Sequence, residues 1–100
     1  MPNLIPTRKF IQDTENLKDQ KALIKKIAKT LALLETNPRH PGLRIERISN
    51  DKTAWSVRVD IRYRLSLEPE SLLSSGIPDW SGNIILLRIL DHDDLYKRPR

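Results

Sequence analysis

The stretch that decides the fold is Trp55 to Leu67, WSVRVDIRYRLSL, in which apolar and polar side chains alternate without a break. Alternation with a period of two is typical of a β-strand that buries one face and exposes the other. Because thirteen residues are long for a single strand, we predict a hairpin centred on Ile61, with Asp60-Ile61-Arg62 as its loop. A loop of odd length keeps all the apolar residues on one face.

This hairpin places Arg58 opposite Arg64 on the polar face, which we expect to be open. The apolar pairs on the other face are Val59 with Tyr63, Val57 with Leu65 and Trp55 with Leu67. Since the loop has no glycine, we expect an unusual backbone angle at Asp60 or a neighbour. Like charges directly opposite each other cost stability, and an anionic partner would be one reason to keep them. A solvated face with both arginines pointing into water explains the pattern equally well.

Length and composition limit the possible classes of protein. A chain of 100 residues with 38% hydrophobic and 31% charged residues predicts a single globular domain over residues 1–100. No apolar run approaches the roughly 18 residues of a membrane span, and the N-terminal residues MPNLIPTRKF do not resemble a signal peptide. With no cysteine, thiolate and disulfide chemistry is excluded. We therefore expect a cytoplasmic protein that does not engage a membrane.

The net charge of +5 is unevenly distributed along the chain. Residues 1–54 carry 11 basic and 6 acidic side chains, whereas residues 55–100 carry 7 of each. A basic excess favours nucleic acid or an acidic protein as the partner.

The remaining sequence predicts two helices and further strands around the hairpin. The predicted elements are a short strand Asn3–Ile5 ended by Pro6, a helix from a Thr7 cap to about Leu17, a helix from Asp19 to about Thr36, an imperfect strand Leu43–Ser49, a long loop over 68–83 and an apolar, central strand from Asn83 to Leu90. This β-α-α-β-β-β-β order indicates an α+β domain with two N-terminal helices packed on one antiparallel sheet.

Two of these predicted segments have side chains that could serve more than the fold. One face of the second helix carries Lys18, Lys21, Lys25 and Lys29, which either solubilise the helix or follow a phosphate backbone. The long loop contains Leu72, Leu73, Ile77 and Trp80, so we expect it to fold back on the domain.

Few residues could carry chemistry. The adjacent His92, Asp93 and Asp94 are poorly placed for shared metal ligation, and the sequence has no glycine-rich phosphate loop and no convincing serine triad. The remaining candidates are Arg58, Arg64, Arg88, His92 and Tyr96. Guanidinium groups stabilise charge on phosphate oxygens, a histidine can transfer a proton, and a tyrosine can stack on a base. As an alternative, residues 90–96 form a solvated turn whose Leu95 and Tyr96 pack on the sheet edge.

Four motifs occur in a fixed order: NPRHPGL at 37–43, WSVRV at 55–59, YRL at 63–65 and HDDLY at 92–96. Together they resemble the RelE/ParE toxin superfamily of toxin–antitoxin systems, over nearly the whole chain. The resemblance implies a ribonuclease that cuts mRNA in the ribosomal A site, with the 2′-hydroxyl as nucleophile and no metal or other cofactor. It also implies a cognate antitoxin that blocks the site, and contact with operator DNA only through the antitoxin complex.

Matched residue by residue, the resemblance implies that Arg64 contacts the scissile phosphate. Arg58 and Arg88 match further basic positions, and His92 and Tyr96 match a C-terminal histidine and aromatic residue. His92 is the better candidate for proton transfer and Glu46 a distant second.

The sequence departs from this superfamily in three places, and two rival functions stay open. The loop 68–83 is long, residues 55–59 have no lysine pair, and we expect no C-terminal helix after Tyr96. One rival is a ParE-like inhibitor of DNA gyrase, against which the pairing of His92 with Tyr96 argues. The other is a catalytically silent domain that binds only antitoxin and operator DNA.

Overall fold

The computed structural model describes residues 2–100, which form a five-stranded sheet and three α-helices. Met1, which the predicted domain includes, lies outside the described residues. In chain order the elements are β1 (Asn3–Pro6), α1 (Arg8–Asn16), α2 (Lys21–Thr36), β2 (Glu46–Arg47), β3 (Trp55–Arg58), β4 (Tyr63–Pro69), β5 (Asn83–Asp91) and α3 (His92–Lys97). The α+β class and the predicted order are confirmed, with one helix added at the end. None of the helices within residues 2–100 is long and apolar enough to cross a membrane.

The sheet is mixed, with the strand order β1-β5-β4-β3-β2. β1 runs parallel to β5, from Asn3 opposite Asn83 to Pro6 opposite Leu86, so the prediction of a wholly antiparallel sheet is wrong at this edge. Thr7 fixes this direction, because its N–H and its hydroxyl both donate to the carbonyl oxygen of Leu86. β5 lies inside the sheet, between β1 and β4, as its apolar sequence predicted.

The central hairpin has the predicted register, with Trp55 opposite Leu67 and Arg58 opposite Arg64. Its tip is held by Asp60, whose Oδ1 accepts hydrogen bonds from the backbone N–H groups of Arg62 (2.9 Å) and Tyr63 (2.7 Å). Aspartate often stabilises turns in this way. The expected unusual backbone angle is wrong, because within residues 2–100 the only positive φ outside glycine is at Arg44.

One face of the sheet packs on the first two helices, as the alternation predicted. Val57, Leu65 and Leu67 of the hairpin are fully buried there. They belong to one apolar cluster with Ile84, Leu86 and Ile89 of β5 and with Phe10, Leu23, Ile27 and Leu34 of the helices. Burial of these side chains is the main source of stability for this layer.

The opposite face is covered over much of its area, so the prediction of an open polar face is wrong there. Ser56 and Ser66 are fully buried, and these small side chains leave room for α3 and the residues after it. Leu95 of α3 forms a second apolar cluster with Ile48, Ala54 and Leu87. Residues His92–Lys97 form the helix α3 in place of the solvated turn considered for residues 90–96.

The last residues of the described chain are fixed to this second face. Ser66 Oγ donates to the carbonyl oxygen of Pro99 (2.6 Å). The guanidinium of Arg100 donates to Asp51 Oδ2 (2.6 Å) and Glu68 Oε2 (2.8 Å). The hydrogen bond from Arg100 is the main reason why the pKa of Asp51 falls to about 2, and the same bond raises the pKa of Arg100.

Two predicted segments differ from the structure in extent. The predicted strand Leu43–Ser49 is reduced to Glu46–Arg47, because residues 41–43 form a 3₁₀ turn and Ile48 turns inward to the second cluster. In the loop, Leu72, Leu73 and Ile77 are exposed, so only part of the expected folding back occurs. Trp80 does return to the domain, where its ring packs edge-on against Trp55 at 5.5 Å.

Candidate functional site

The two hairpin arginines line an open cleft at one end of the sheet. Arg58 and Arg64 form the last residue pair between β3 and β4 before the hairpin tip. The cleft has a volume of about 490 Å³ and is also lined by Ile61, Arg62, Asp91, His92 and Asp93. The N–H of His92 donates to the carbonyl oxygen of Arg62 (2.7 Å), which fixes the start of α3 beside the hairpin tip. Three of the five predicted site residues, Arg58, Arg64 and His92, are thus brought together.

Arg64, which lines this cleft, has a buried polar atom without a hydrogen-bond partner. Its Nη1 atom is buried, and it is the only buried side-chain nitrogen or oxygen within residues 2–100 that has no hydrogen-bond partner there. An unsatisfied buried donor costs about 1–3 kcal/mol, and more when it is charged. A ligand anion in the cleft would supply the missing acceptor.

Asp91, one of the two carboxylates that line the cleft, is already used by other groups. Asp91 Oδ2 accepts a hydrogen bond from Arg62 Nε at 3.0 Å, and its Oδ1 caps α3 by accepting from the N–H of Asp93. The hydrogen bond from Arg62 comes first among the causes that lower the pKa of Asp91. Arg58 and Arg64 therefore face the cleft as the cations that can meet an anionic ligand.

His92 is the first residue of α3, and its ring is exposed at the edge of the cleft. Its Nδ1 lies 3.3 Å from Asp93 Oδ1, a contact that favours the tautomer with the proton on Nδ1. Nε2 is then the atom that can accept a proton. The ring also meets Tyr96 edge-on, with centroids 4.7 Å apart.

Tyr96 lies one turn further along α3 and is not among the residues that line the cleft. Its hydroxyl is 3.2 Å from Ser56 Oγ on β3, and its carbonyl oxygen accepts a hydrogen bond from Asn50 Nδ2. The side chain is half-buried and supports the imidazole of His92. This geometry suits a positioning residue better than a direct contact with a ligand.

Arg88 is not brought to the cleft. Its guanidinium forms a bidentate salt bridge with Asp13 of α1, with Nε to Oδ2 at 2.7 Å and Nη2 to Oδ1 at 3.0 Å. Asp13 Oδ2 also accepts from the N–H of Ile89. Both charged side chains are nearly buried, at 14% and 7% exposure, and the hydrogen bond to Asp13 raises the pKa of Arg88. Arg88 therefore joins α1 to β5.

Four residues of the cleft are not among the predicted site residues, namely Ile61, Arg62, Asp91 and Asp93, and Glu46, the second candidate for proton transfer, lies outside it. Ile61 and Arg62 line the cleft, and Ile61 is 89% exposed, an apolar residue at a turn tip that the sequence could have flagged. Glu46 lies opposite Ser56 on the short edge strand and is not among the residues lining this cleft. Over residues 2–100, no three potential metal ligands lie close enough together to hold a metal ion.

No protein-family model matches this sequence, and no curated protein sequence matches it significantly. Several solved structures do share its fold. YafQ from E. coli strain BL21(DE3) has a TM-score of 0.68 and 14% identity, covering 95% of this chain and 98% of that one.

A YoeB/ParE toxin from Agrobacterium tumefaciens has a TM-score of 0.66 and 17% identity, covering 90% and 98% of the two chains. A chain of the E. coli DinJ-YafQ toxin-antitoxin complex has a TM-score of 0.65 and 13% identity, covering 94% and 96%. At such identities the likeness concerns the fold. The resemblance carried by the four sequence motifs is confirmed at that level: this chain has the fold of the RelE/ParE-like toxins.

Proposed function

We propose that this protein is the toxin of a toxin–antitoxin system and an endoribonuclease that cleaves mRNA in the ribosomal A site. The observation that carries the proposal is the buried Nη1 of Arg64, which has no partner within residues 2–100, on a residue that lines a cleft together with Arg58 and His92. A phosphodiester is an anion whose oxygens fit two guanidinium groups. The shared fold with toxins supports the toxin role.

In the proposed reaction, Arg64 holds the scissile phosphate and Arg58 adds a second positive charge. The 2′-oxygen of the preceding ribose forms a bond to phosphorus while the bond from phosphorus to the 5′-oxygen breaks. His92 Nε2 accepts the proton of the 2′-hydroxyl, and the departing 5′-oxygen takes a proton from water. The guanidinium groups stabilise the charge that develops on the phosphate oxygens. Tyr96 keeps the imidazole in place, and Arg88 has no role in this proposal.

The proposed protein partner is a cognate antitoxin that covers the basic surface. The protein would contact operator DNA only through its complex with this antitoxin. A complex of YafQ with DinJ is among the similar structures, which supports a partner of this kind. Exposed charge pairs are screened within about 8–10 Å at physiological ionic strength. Antitoxin binding that depends on surface charge should therefore weaken as salt is added.

Single-turnover cleavage of mRNA on programmed ribosomes tests the proposal. Arg64→Ala should slow cleavage by about 10²–10³-fold, the usual cost of losing one preorganised charge-stabilising group. His92→Ala should slow it by about 10²–10⁴-fold, as expected for the loss of a general base. Arg8→Ala is the matched control, because Arg8 is an exposed arginine of α1 outside this cleft. An Arg64→Ala protein that cuts as fast as the control contradicts the phosphate assignment.

The rival function is inhibition of DNA gyrase without nuclease chemistry. It deserves a test because the similar A. tumefaciens structure is described as a YoeB/ParE toxin. Expressing the chain without its antitoxin and following protein synthesis and DNA replication separates the two functions. We expect protein synthesis to stop first. If DNA replication stops before protein synthesis, the gyrase inhibitor is favoured. Growth without arrest of either process would indicate a catalytically silent domain.

A further inference from the structure

Two further clefts follow the Arg58–Arg64 cleft, and each has one lining residue in common with the cleft before it. The second, of about 400 Å³, lies between α2 and the hairpin and is lined by Lys26, Lys29, His40 and Arg58, among others. The third, of about 350 Å³, is lined by His40 and by Trp55 and Trp80 with neighbouring residues. Arg58 belongs to the first and second clefts, and His40 to the second and third. We call the three clefts, linked through Arg58 and His40, the basic track.

The second and third clefts of the track carry far more positive than negative charge. Its second and third clefts are lined by five lysine or arginine residues and by one carboxylate, Asp60. That carboxylate is already engaged, because its Oδ1 accepts two N–H groups of the hairpin turn and its Oδ2 lies 3.8 Å from Lys26 Nζ. The five cationic residues are Lys26, Lys29, Arg39, Arg44 and Arg58. Such a surface favours a ligand with repeated negative charges.

The far end of the track adds aromatic surface to this charge. Trp55 and Trp80 meet edge-on at 5.5 Å, and both line the third cleft beside Arg39 and Arg44. A basic groove with aromatic side chains is the usual combination for binding single-stranded nucleic acid, because the cations follow the phosphates while the rings contact the bases. An acidic peptide would match the cations alone.

We propose that the basic track binds the single-stranded RNA that flanks the scissile phosphate. Resting on the proposed ribonuclease function, this inference extends the site beyond one phosphate. Arg58 is the shared point, where the strand leaves the first cleft. The next phosphates then pass Lys26 and Lys29, and a base contacts the Trp55–Trp80 pair.

The test measures binding of oligoribonucleotides whose 2′-hydroxyls are methylated, so that they cannot be cut. Fluorescence anisotropy follows a length series from about two to about ten nucleotides. For the intact protein, affinity should rise with length, and the salt dependence of binding should steepen with it. Each phosphate neutralised on a single strand adds about 0.7 to the slope of log K against log salt.

Two double variants with the same change of charge are compared. Lys29→Gln with Arg44→Gln removes two cations of the track, and Lys25→Gln with Arg8→Gln removes two exposed cations outside the three clefts. The track variant should bind the longest oligonucleotide roughly 5- to 25-fold more weakly than the intact protein. Its salt slope should fall by about 1.4. It should bind the dinucleotide as the intact protein does, and the control variant should behave as the intact protein throughout.

Equal binding of the longest oligonucleotide by the two double variants would overturn the track. Complete displacement of that oligonucleotide by an equal concentration of polyglutamate would also overturn it, in favour of an acidic peptide site. The outcome does not depend on catalysis, because the probe has no free 2′-hydroxyl. Length-dependent binding without cleavage of mRNA would keep the track and reject the ribonuclease. Cleavage of mRNA together with binding that does not depend on oligonucleotide length would keep the ribonuclease and reject the track.

Discussion

The salt bridge between Asp51 and Arg100 should make stability depend on pH in a defined range. Asp51 has its pKa lowered from 3.8 to about 2, chiefly by the hydrogen bond from Arg100. Because the pKa is lower in the folded state, the stabilisation is fully present above about pH 4 and is lost as the pH falls through 2. The difference in pKa corresponds to at most about 2.4 kcal/mol. The guanidinium is 44% exposed, so screening by water should reduce this to about 1–2 kcal/mol.

Urea unfolding of the intact protein and of Asp51→Asn at pH 7 and pH 2 measures this contribution. We expect Asp51→Asn to lower the free energy of unfolding by about 1–2 kcal/mol at pH 7 and by only a few tenths at pH 2. The control is Asp19→Asn, which neutralises an exposed carboxylate just before α2 and should stay within about 0.5 kcal/mol at both pH values. If Asp51→Asn lowers the free energy of unfolding by the same amount at pH 2 as at pH 7, the ionised salt bridge does not contribute this stability.

Three further predictions concern the core and the site. Asp13→Ala should lower the free energy of unfolding by about 3–5 kcal/mol, because it leaves the charge of the nearly buried Arg88 without a partner. The cleavage rate per folded molecule should stay unchanged, and a large loss of rate would indicate that Arg88 does act in the site. Leu65→Ala should cost about 2–5 kcal/mol in urea unfolding, whereas Leu73→Ala, at an exposed loop position, should stay within about 0.5 kcal/mol. Tyr96→Phe should keep nearly full single-turnover cleavage and Tyr96→Ala should not, because the ring packs against the imidazole of His92. Equal losses would instead point to the hydroxyl.

The hairpin and its arginine pair could be predicted because they follow from side-chain alternation alone. A one-residue slip would move Val57 and Leu65 out of the core, so the sequence determines the register of Arg58 and Arg64. The element order followed from the helical and alternating patterns of the remaining sequence, and the resemblance carried by four short motifs added the grouping of His92 with the arginines in one site. These are local patterns, and the fold preserves them.

The remaining features depend on contacts between distant parts of the chain. Arg88 matches a basic position in the resemblance, but its partner in the fold, Asp13, is 75 positions away, and nothing near either residue indicates the salt bridge. The helix α3 did leave local signals: Asp91 caps it, Asp93 and Asp94 lie in its first turn, and Lys97 lies in its last. These are favourable placements for helix ends. A helix of six residues is too short to show a periodic apolar face, so the periodicity of the sequence does not reveal it.

The parallel pairing of β1 with β5 has a consequence for the kinetics of folding. Asn3 and Asn83 are partners, so the sheet closes only after residues at opposite ends of the chain meet. Contacts of such large sequence separation slow folding, and we expect refolding in milliseconds or longer, measurable by the fluorescence of Trp55 and Trp80. During synthesis from the N-terminus, β5 and His92 leave the ribosome after β1 to β4 and the first two helices. The cleft should therefore be incomplete until residues 83–92 have emerged, which would delay any activity against the ribosome that makes the protein.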